Sequence, residues 1–223
     1  MTSFDRRLMP VLVGLAVVGI ASAGLRYVVP HEVHVAITKP LFGDYATEQL
    51  AVLREQPLAE HSHRLGGSLY FLLGLFQFAP GARRRWPRAH RWSGRLFVAL
   101  ALLAGVSGAA LSATRPFADG ERAPSFLFAA LLIVFTLEGV RRARTGDQEG
   151  HREFMLRGFA IGLGISTIRL FAVALTVATD LPTRSIVAPT FWAGWLVSIA
   201  AAEGWIRLQR LRTRTFENAA QTS

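Results

Sequence analysis

The chain has 223 residues, of which 51% are hydrophobic and 18% charged, and its formal net charge is +10. Cysteine is absent, which excludes disulfides, thiolate metal sites and cysteine nucleophiles. The charge alone would suit a nucleic acid, but the arginines lie in short loops between long uncharged apolar runs. That pattern fits anionic lipid headgroups, so the expected partner is the lipid bilayer and no nucleic acid is expected.

A hydrocarbon core about 30 Å thick takes roughly 20 helical residues. The first uncharged run, Leu8–Leu25, predicts a span over residues 8–29. Arg6, Arg7 and the stretch Ala21-Ser22-Ala23 resemble parts of a signal peptide, but the length of the run and the later apolar segments favour a retained helix. Residues 30–64 form an external segment with five acids (Glu32, Asp44, Glu48, Glu55 and Glu60) and an expected surface helix over Ala46–Arg54. Further spans are expected over 65–80, 96–114, 125–140, 154–179 and 187–205, the fifth interrupted only by Arg169. The runs lack the period-two alternation of a membrane barrel. The fold expected is therefore all-α: a polytopic transmembrane helical bundle of six spans, forming a single membrane domain over 1–223.

Charge sets the orientation. With six spans, one side carries both termini and the loops at 81–95 and 141–157, and holds 17 of the 25 basic residues. The other side holds 7, and Arg169 lies within a span. The positive-inside bias puts both termini in the cytoplasm. Small residues recur along the spans: Gly14, Gly19 and Gly24 in the first, Gly105 and Gly108 in the third, Gly158 and Gly162 in the fifth. Such positions let helices approach closely, within one chain or across a homo-oligomer seam.

Three His-Arg steps sit at span edges: His63-Arg64, His90-Arg91 and His151-Arg152. The first two extend similarly, as His63-Arg64-Leu65-Gly66-Gly67 and His90-Arg91-Trp92-Ser93-Gly94, and enter the membrane from opposite sides. The chain also carries Gly74-x-x-Gln77-Phe78, Pro87-x-x-His90-Arg91-x-x-Gly94-Arg95, His151-Arg152-x-x-Met155-x-Arg157 and Ile168-Arg169-Leu170. Together these motifs resemble the bacterial predicted membrane proteins of the domain-of-unknown-function 2306 family, over roughly residues 60–180. The resemblance implies a multi-pass protein and brings no activity with it; helical spans in a bacterium point to the inner membrane.

The histidines admit several readings. Two imidazoles on neighbouring helices can hold a heme b, and His90 and His151 lie on one side for it, with His63 at the opposite face. His31, His34, His61 and His63, beside Glu32 and Glu60, offer a divalent-metal reading. Structurally, His63, His90, His151 and Arg91 can cap helices, bind headgroups or fix loops. Arg169 is different: twelve residues past Arg157, it lies about 18 Å up its helix, beyond the bilayer middle, where a charge is expensive. It is expected to face the bundle interior with Ser166 and Thr167 and to bind a polar or anionic lipid-soluble ligand, or to bond structurally to neighbouring helices. Glu138 and Glu203 each precede an arginine by four residues, Arg142 and Arg207, which suits local helix pairs. No dinucleotide, Walker, His-Glu-x-x-His or Gly-x-Ser-x-Gly motif is present. Ligand binding, heme-based electron transfer and a structural or regulatory subunit all stand as functions.

Overall fold

The computed structural model describes residues 3–43, 47, 55–114 and 120–221, and these are helical almost throughout, with no strand. The helices are α1 (Ser3–Val28), α2 (His31–Phe42), α3 (Pro57–Phe78), α4 (Ala82–Arg85), α5 (Pro87–Thr114), α6 (Arg122–Arg144), α7 (Gln148–Ala178) and α8 (Thr183–Gln221). Prolines punctuate them: Pro57 opens α3 and Pro87 opens α5, where no N–H is needed. The turns before α4 and α7 use Gly81 and Gly146, both at φ +83°, a conformation costly for any residue with a side chain. Asp147 caps α7 by accepting from the Gly150 N–H at 2.8 Å.

Windows within α1, α5, α6, α7 and α8 are long and apolar enough to cross a membrane. The chain is a helical membrane protein with several such helices. Four helices run well past the expected spans: α3 begins at Pro57, α5 at Pro87, α7 at Gln148, and α8 continues to Gln221. The arginine-rich flanks thus continue the helices, and at 31 residues α7 is about 46 Å long, more than the hydrocarbon needs. The 22-residue α3 is long enough for the second span, but its first two turns carry Glu60, His61, His63 and Arg64. Within residues 30–64, the structure forms α2, which the hydropathy pattern does not single out; the expected helix Ala46–Arg54 lies outside the described residues.

Each long helix packs antiparallel to the next, and α3 also meets α7 antiparallel. Tyr70 meets Gly162 and Phe159 meets Gly74 between α3 and α7; Met155 meets Gly139 between α6 and α7; Trp195 meets Gly164 between α7 and α8. Helices α3, α5, α6 and α7 form a ring, with α1 against α3 and α7 and α8 against α7. Both ends of the chain, the turn at 79–86 and the turn at 145–147 therefore share the arginine-rich end. The core is aromatic. Phe159 is fully buried, stacked on Phe78 at 5.2 Å and edge-on to Tyr70 at 5.6 Å, while Tyr70 stacks on Phe97 at 4.5 Å.

In lipid no apolar solvent effect pulls helices together, so association rests on close packing. A recurring device supplies it: a glycine on one helix receives a large side chain from the next. A methyl group on Gly74 would overlap the Phe159 ring, one on Gly164 the Trp195 indole, and one on Gly19 the Phe71 ring. Gly14 and Gly24 have nothing within 4 Å of where a side chain would start. The contrast is testable by thermal unfolding in detergent. Gly74→Val is expected to cost about 1–3 kcal/mol through overpacking. Gly14→Ala is expected to be neutral or slightly stabilising, through better helix propensity. Equal effects at the two positions would contradict the interlocked packing.

Candidate functional site

At the end opposite the arginine-rich one, six long helices and α2 enclose a cavity of about 470 Å³. Its wall is divided. Glu60, His63 and Arg64 come from α3, Ser112 from α5, Glu121 and Ser125 from the start of α6, and Arg169 from α7. Deeper, Tyr70, Phe71, Phe128, Leu132, Ile161 and Trp195 line it with apolar surface. His34, Thr38 and Phe42 of α2, spaced four apart on one helical face, complete the wall. The α2 residues Val33 and Ile37 are exposed. Thr183 at the start of α8 donates to the Phe42 carbonyl at 3.3 Å.

Most charged wall groups have partners. Glu60, 1% exposed, lies 2.9 Å from Arg64 Nε and 2.7 Å from His61 Nδ1. Glu121 is fully buried and accepts from Ser112 Oγ at 2.6 Å and Ser125 Oγ at 2.5 Å. His63 Nδ1 lies 3.1 Å from the Ala104 carbonyl and 3.3 Å from Ser107 Oγ. A carbonyl only accepts, so Nδ1 carries the hydrogen and the neutral ring keeps Nε2 as an acceptor. The ring packs on Gly108, where a methyl group would lie 3.0 Å from Cε1. Arg169 differs from these residues. It is half-buried and lines the cavity, yet it has no hydrogen-bond or ion-pair partner among the described residues.

The residues expected beside Arg169 point elsewhere. Ser166 is fully buried against Gly19 of α1, and Thr167 Oγ1 shares a 3.1 Å hydrogen bond with Ser198 of α8. Neither lines the cavity. The reason is helical geometry: each residue turns about 100°, so Ile165, Ile168 and Ala172 share the Arg169 side while 166 and 167 rotate away. Tyr70, Glu121, Thr38 and Phe42 belong to the cavity without having been singled out in the sequence, and His34 was singled out only for a metal. Tyr70 was the most accessible to reasoning, because it falls seven residues after His63, on the same face of one helix.

His90, His151 and Arg91 sit at the arginine-rich end. Gln77 donates to the His90 carbonyl at 3.1 Å and to Ser93 Oγ at 2.7 Å, so the Gly74-x-x-Gln77 and His90–Gly94 motifs meet at the foot of α5. His90 Nδ1 is buried without a partner among the described residues. His151 Nδ1 donates to the Gly139 carbonyl at 2.8 Å, which joins α7 to α6. Arg91 is exposed. Among the described residues, no three acidic or histidine side chains come together as a metal set; the His31 side chain lies outside that description.

Ion pairs clasp the same end. Glu138 does accept from Arg142, and also from Arg141, while Arg142 reaches Asp147 at 2.7 Å. Glu203 departs from the expected local pair with Arg207: it accepts from Arg157 of α7. Glu153 likewise accepts from Arg210 of α8. The extension of α8 beyond the apolar run brings these groups opposite one another, and a bidentate guanidinium–carboxylate geometry favours the cross-helix partner.

The chain belongs to the family of predicted membrane proteins known as DUF2306, whose model matches residues 61–206. No curated protein and no solved structure gives a significant match.

Asp147 provides a pH prediction for the clasped end. Its carboxyl is held below the ordinary range, first by the Arg142 guanidinium and then by the Gly150 N–H. A depressed folded-state pKa contributes stability above the unfolded value, and the contribution is lost as pH falls through the folded value. Acid titration of thermal stability should therefore show a smaller loss in Asp147→Asn than in the parent protein. Parallel acid limbs would contradict the assignment.

Proposed function

We propose that this protein is a six-span inner-membrane protein, with both termini in the cytoplasm, that binds a polar or anionic lipid-soluble ligand at Arg169. The arginine-rich end faces the cytoplasm, as the positive-inside bias requires, and the cavity lies toward the external side. Helix α3 serves as the second span. Its polar first turns face the cavity and the membrane edge, while its later turns pack antiparallel on α7.

One observation carries the reading: a guanidinium in a cavity at membrane depth, with its hydrogen-bond donors unmatched by the described residues. Charged side chains inside membrane segments are rare and mark ligand or ion pathways unless they are neutralised locally. Here the other cavity charges are engaged locally, Glu60 with Arg64 and Glu121 with two serines, and Arg169 is left to the cavity. Arginine presents a planar fork suited to carboxylate, phosphate or carbonyl oxygens. The deeper aromatic wall suits an apolar body.

Mass spectrometry on gently purified protein tests the site. The parent protein should carry a lipid-soluble molecule bearing an acidic or carbonyl oxygen. Arg169→Leu should lose it, and Arg169→Lys should keep it weakly. A folded Leu variant that retains every ligand would overturn the reading. The orientation has its own test: a reporter fused after residue 215 should be active in the cytoplasm, and one inserted within 40–55 should be active outside. The reverse pattern would place the cavity on the wrong side.

A further inference from the structure

A second group in the same cavity narrows the ligand. Tyr70 is 1% exposed, lines the cavity, and its hydroxyl has no partner among the described residues. A buried hydroxyl without an acceptor costs roughly 1–3 kcal/mol relative to a satisfied one. Tyrosine hydroxyls in buried positions usually find a partner. Phenylalanine would fill the same space without that cost, because the ring contacts with Phe97, Phe159 and Gly162 do not involve the hydroxyl.

The placement of Tyr70 relative to Arg169 follows from the helix register. Tyr70 packs on Gly162 of α7, and Arg169 lies seven residues further along that helix. That is two turns, about 10 Å. Side chains leave a helix leaning toward its N-terminus. Because α3 and α7 are antiparallel, Tyr70 and Arg169 lean toward each other across the cavity. No hydrogen bond joins them, so a neutral donor and a cationic donor both line the one cavity.

Resting on the Arg169 reading, we propose that the ligand carries two oxygen acceptors on one apolar, planar body, as a membrane quinone-type dione does: one oxygen is held by Arg169 and the other by the Tyr70 hydroxyl. A simple fatty carboxylate would satisfy Arg169 and leave Tyr70 unmatched. Phe71, Phe128 and Trp195 also line the cavity, and flat aromatic surface suits a ring better than a flexible chain. The proposal concerns binding; no electron transfer is assigned.

The test uses the full-length protein in detergent with two probes, a decyl-substituted benzoquinone and decanoate, followed by quenching of tryptophan fluorescence and by thermal shift. The benzoquinone should bind the parent protein more tightly than decanoate. Tyr70→Phe should weaken the benzoquinone about five- to tenfold, the share of one hydrogen bond, and leave decanoate within twofold. The ligand-free Tyr70→Phe variant should melt no lower than the parent, because it loses only an unpaired hydroxyl. An unchanged benzoquinone affinity in Tyr70→Phe, or a marked drop in its ligand-free melting temperature, would overturn the inference. Decanoate binding that is lost in Arg169→Leu, with no benzoquinone binding at all, would overturn the two-acceptor ligand and leave the Arg169 site standing. Failure of both probes, together with a ligand-retaining Arg169→Leu variant, would remove both readings.

Discussion

A guanidinium surrounded by hydrocarbon needs either water, a counter-charge or a ligand, and the upper half of this bundle is arranged around that requirement. Arg169 stays charged in any ordinary protein setting. The helix that carries it is otherwise apolar over its central turns, so the polar surroundings come from other elements: the first turns of α3, the end of α5, the start of α6 and one face of α2. This accounts for the composition of α3. Its polar N-terminal half lowers its hydropathy, yet one face, with Glu60, Gly66, Tyr70 and Gly74, is buried in the bundle while Leu58, Leu65, Leu69 and Leu72 lie exposed on the other.

The two ends of the molecule divide the work. At the arginine-rich end, Glu153, Arg157, Glu203 and Arg210 join α7 to α8, and Gln77 and His151 tie turns to neighbouring backbones. Between the ends, aromatic rings seat on glycines of the facing helix, a form of packing that leaves little room for relative movement. At the opposite end the same helices separate enough to enclose a cavity, and α2 covers it with His34, Thr38 and Phe42. Close packing at one end and an open volume at the other place the cavity-facing groups on helices rather than on loops, which suits a preorganised site.

Much of this was legible in the sequence because bilayer thickness dictates the length of apolar runs. The runs around α1, α5, α6, α7 and α8 lie within helices of the structure, and Arg169 stood out as the only charge within its run. What escaped were features fixed by rotation and by partners distant in sequence. Ser166 and Thr167 are close to Arg169 in the chain, yet helical rotation turns them to other neighbours. Glu203 has an arginine four residues on, but Arg157 of the neighbouring α7 meets both of its carboxylate oxygens. Tyr70 reads as an ordinary core aromatic until the antiparallel register of α3 and α7 sets it below Arg169. Helix α2 was hidden because its 12 residues are short of a span and include Glu32, Lys39 and Pro40 among the apolar ones.

Binding at Arg169 from the external side requires that the cavity beside it be reachable from outside the cell. The absence of cysteine makes the measurement direct: Ala172→Cys, one turn beyond Arg169 on the cavity wall, would be labelled in intact spheroplasts with a small membrane-impermeant thiol reagent. The account predicts labelling from the external side, slowed by bound ligand. An introduced thiol that reacts only from the cytoplasmic side, or only after the protein is denatured, would contradict it.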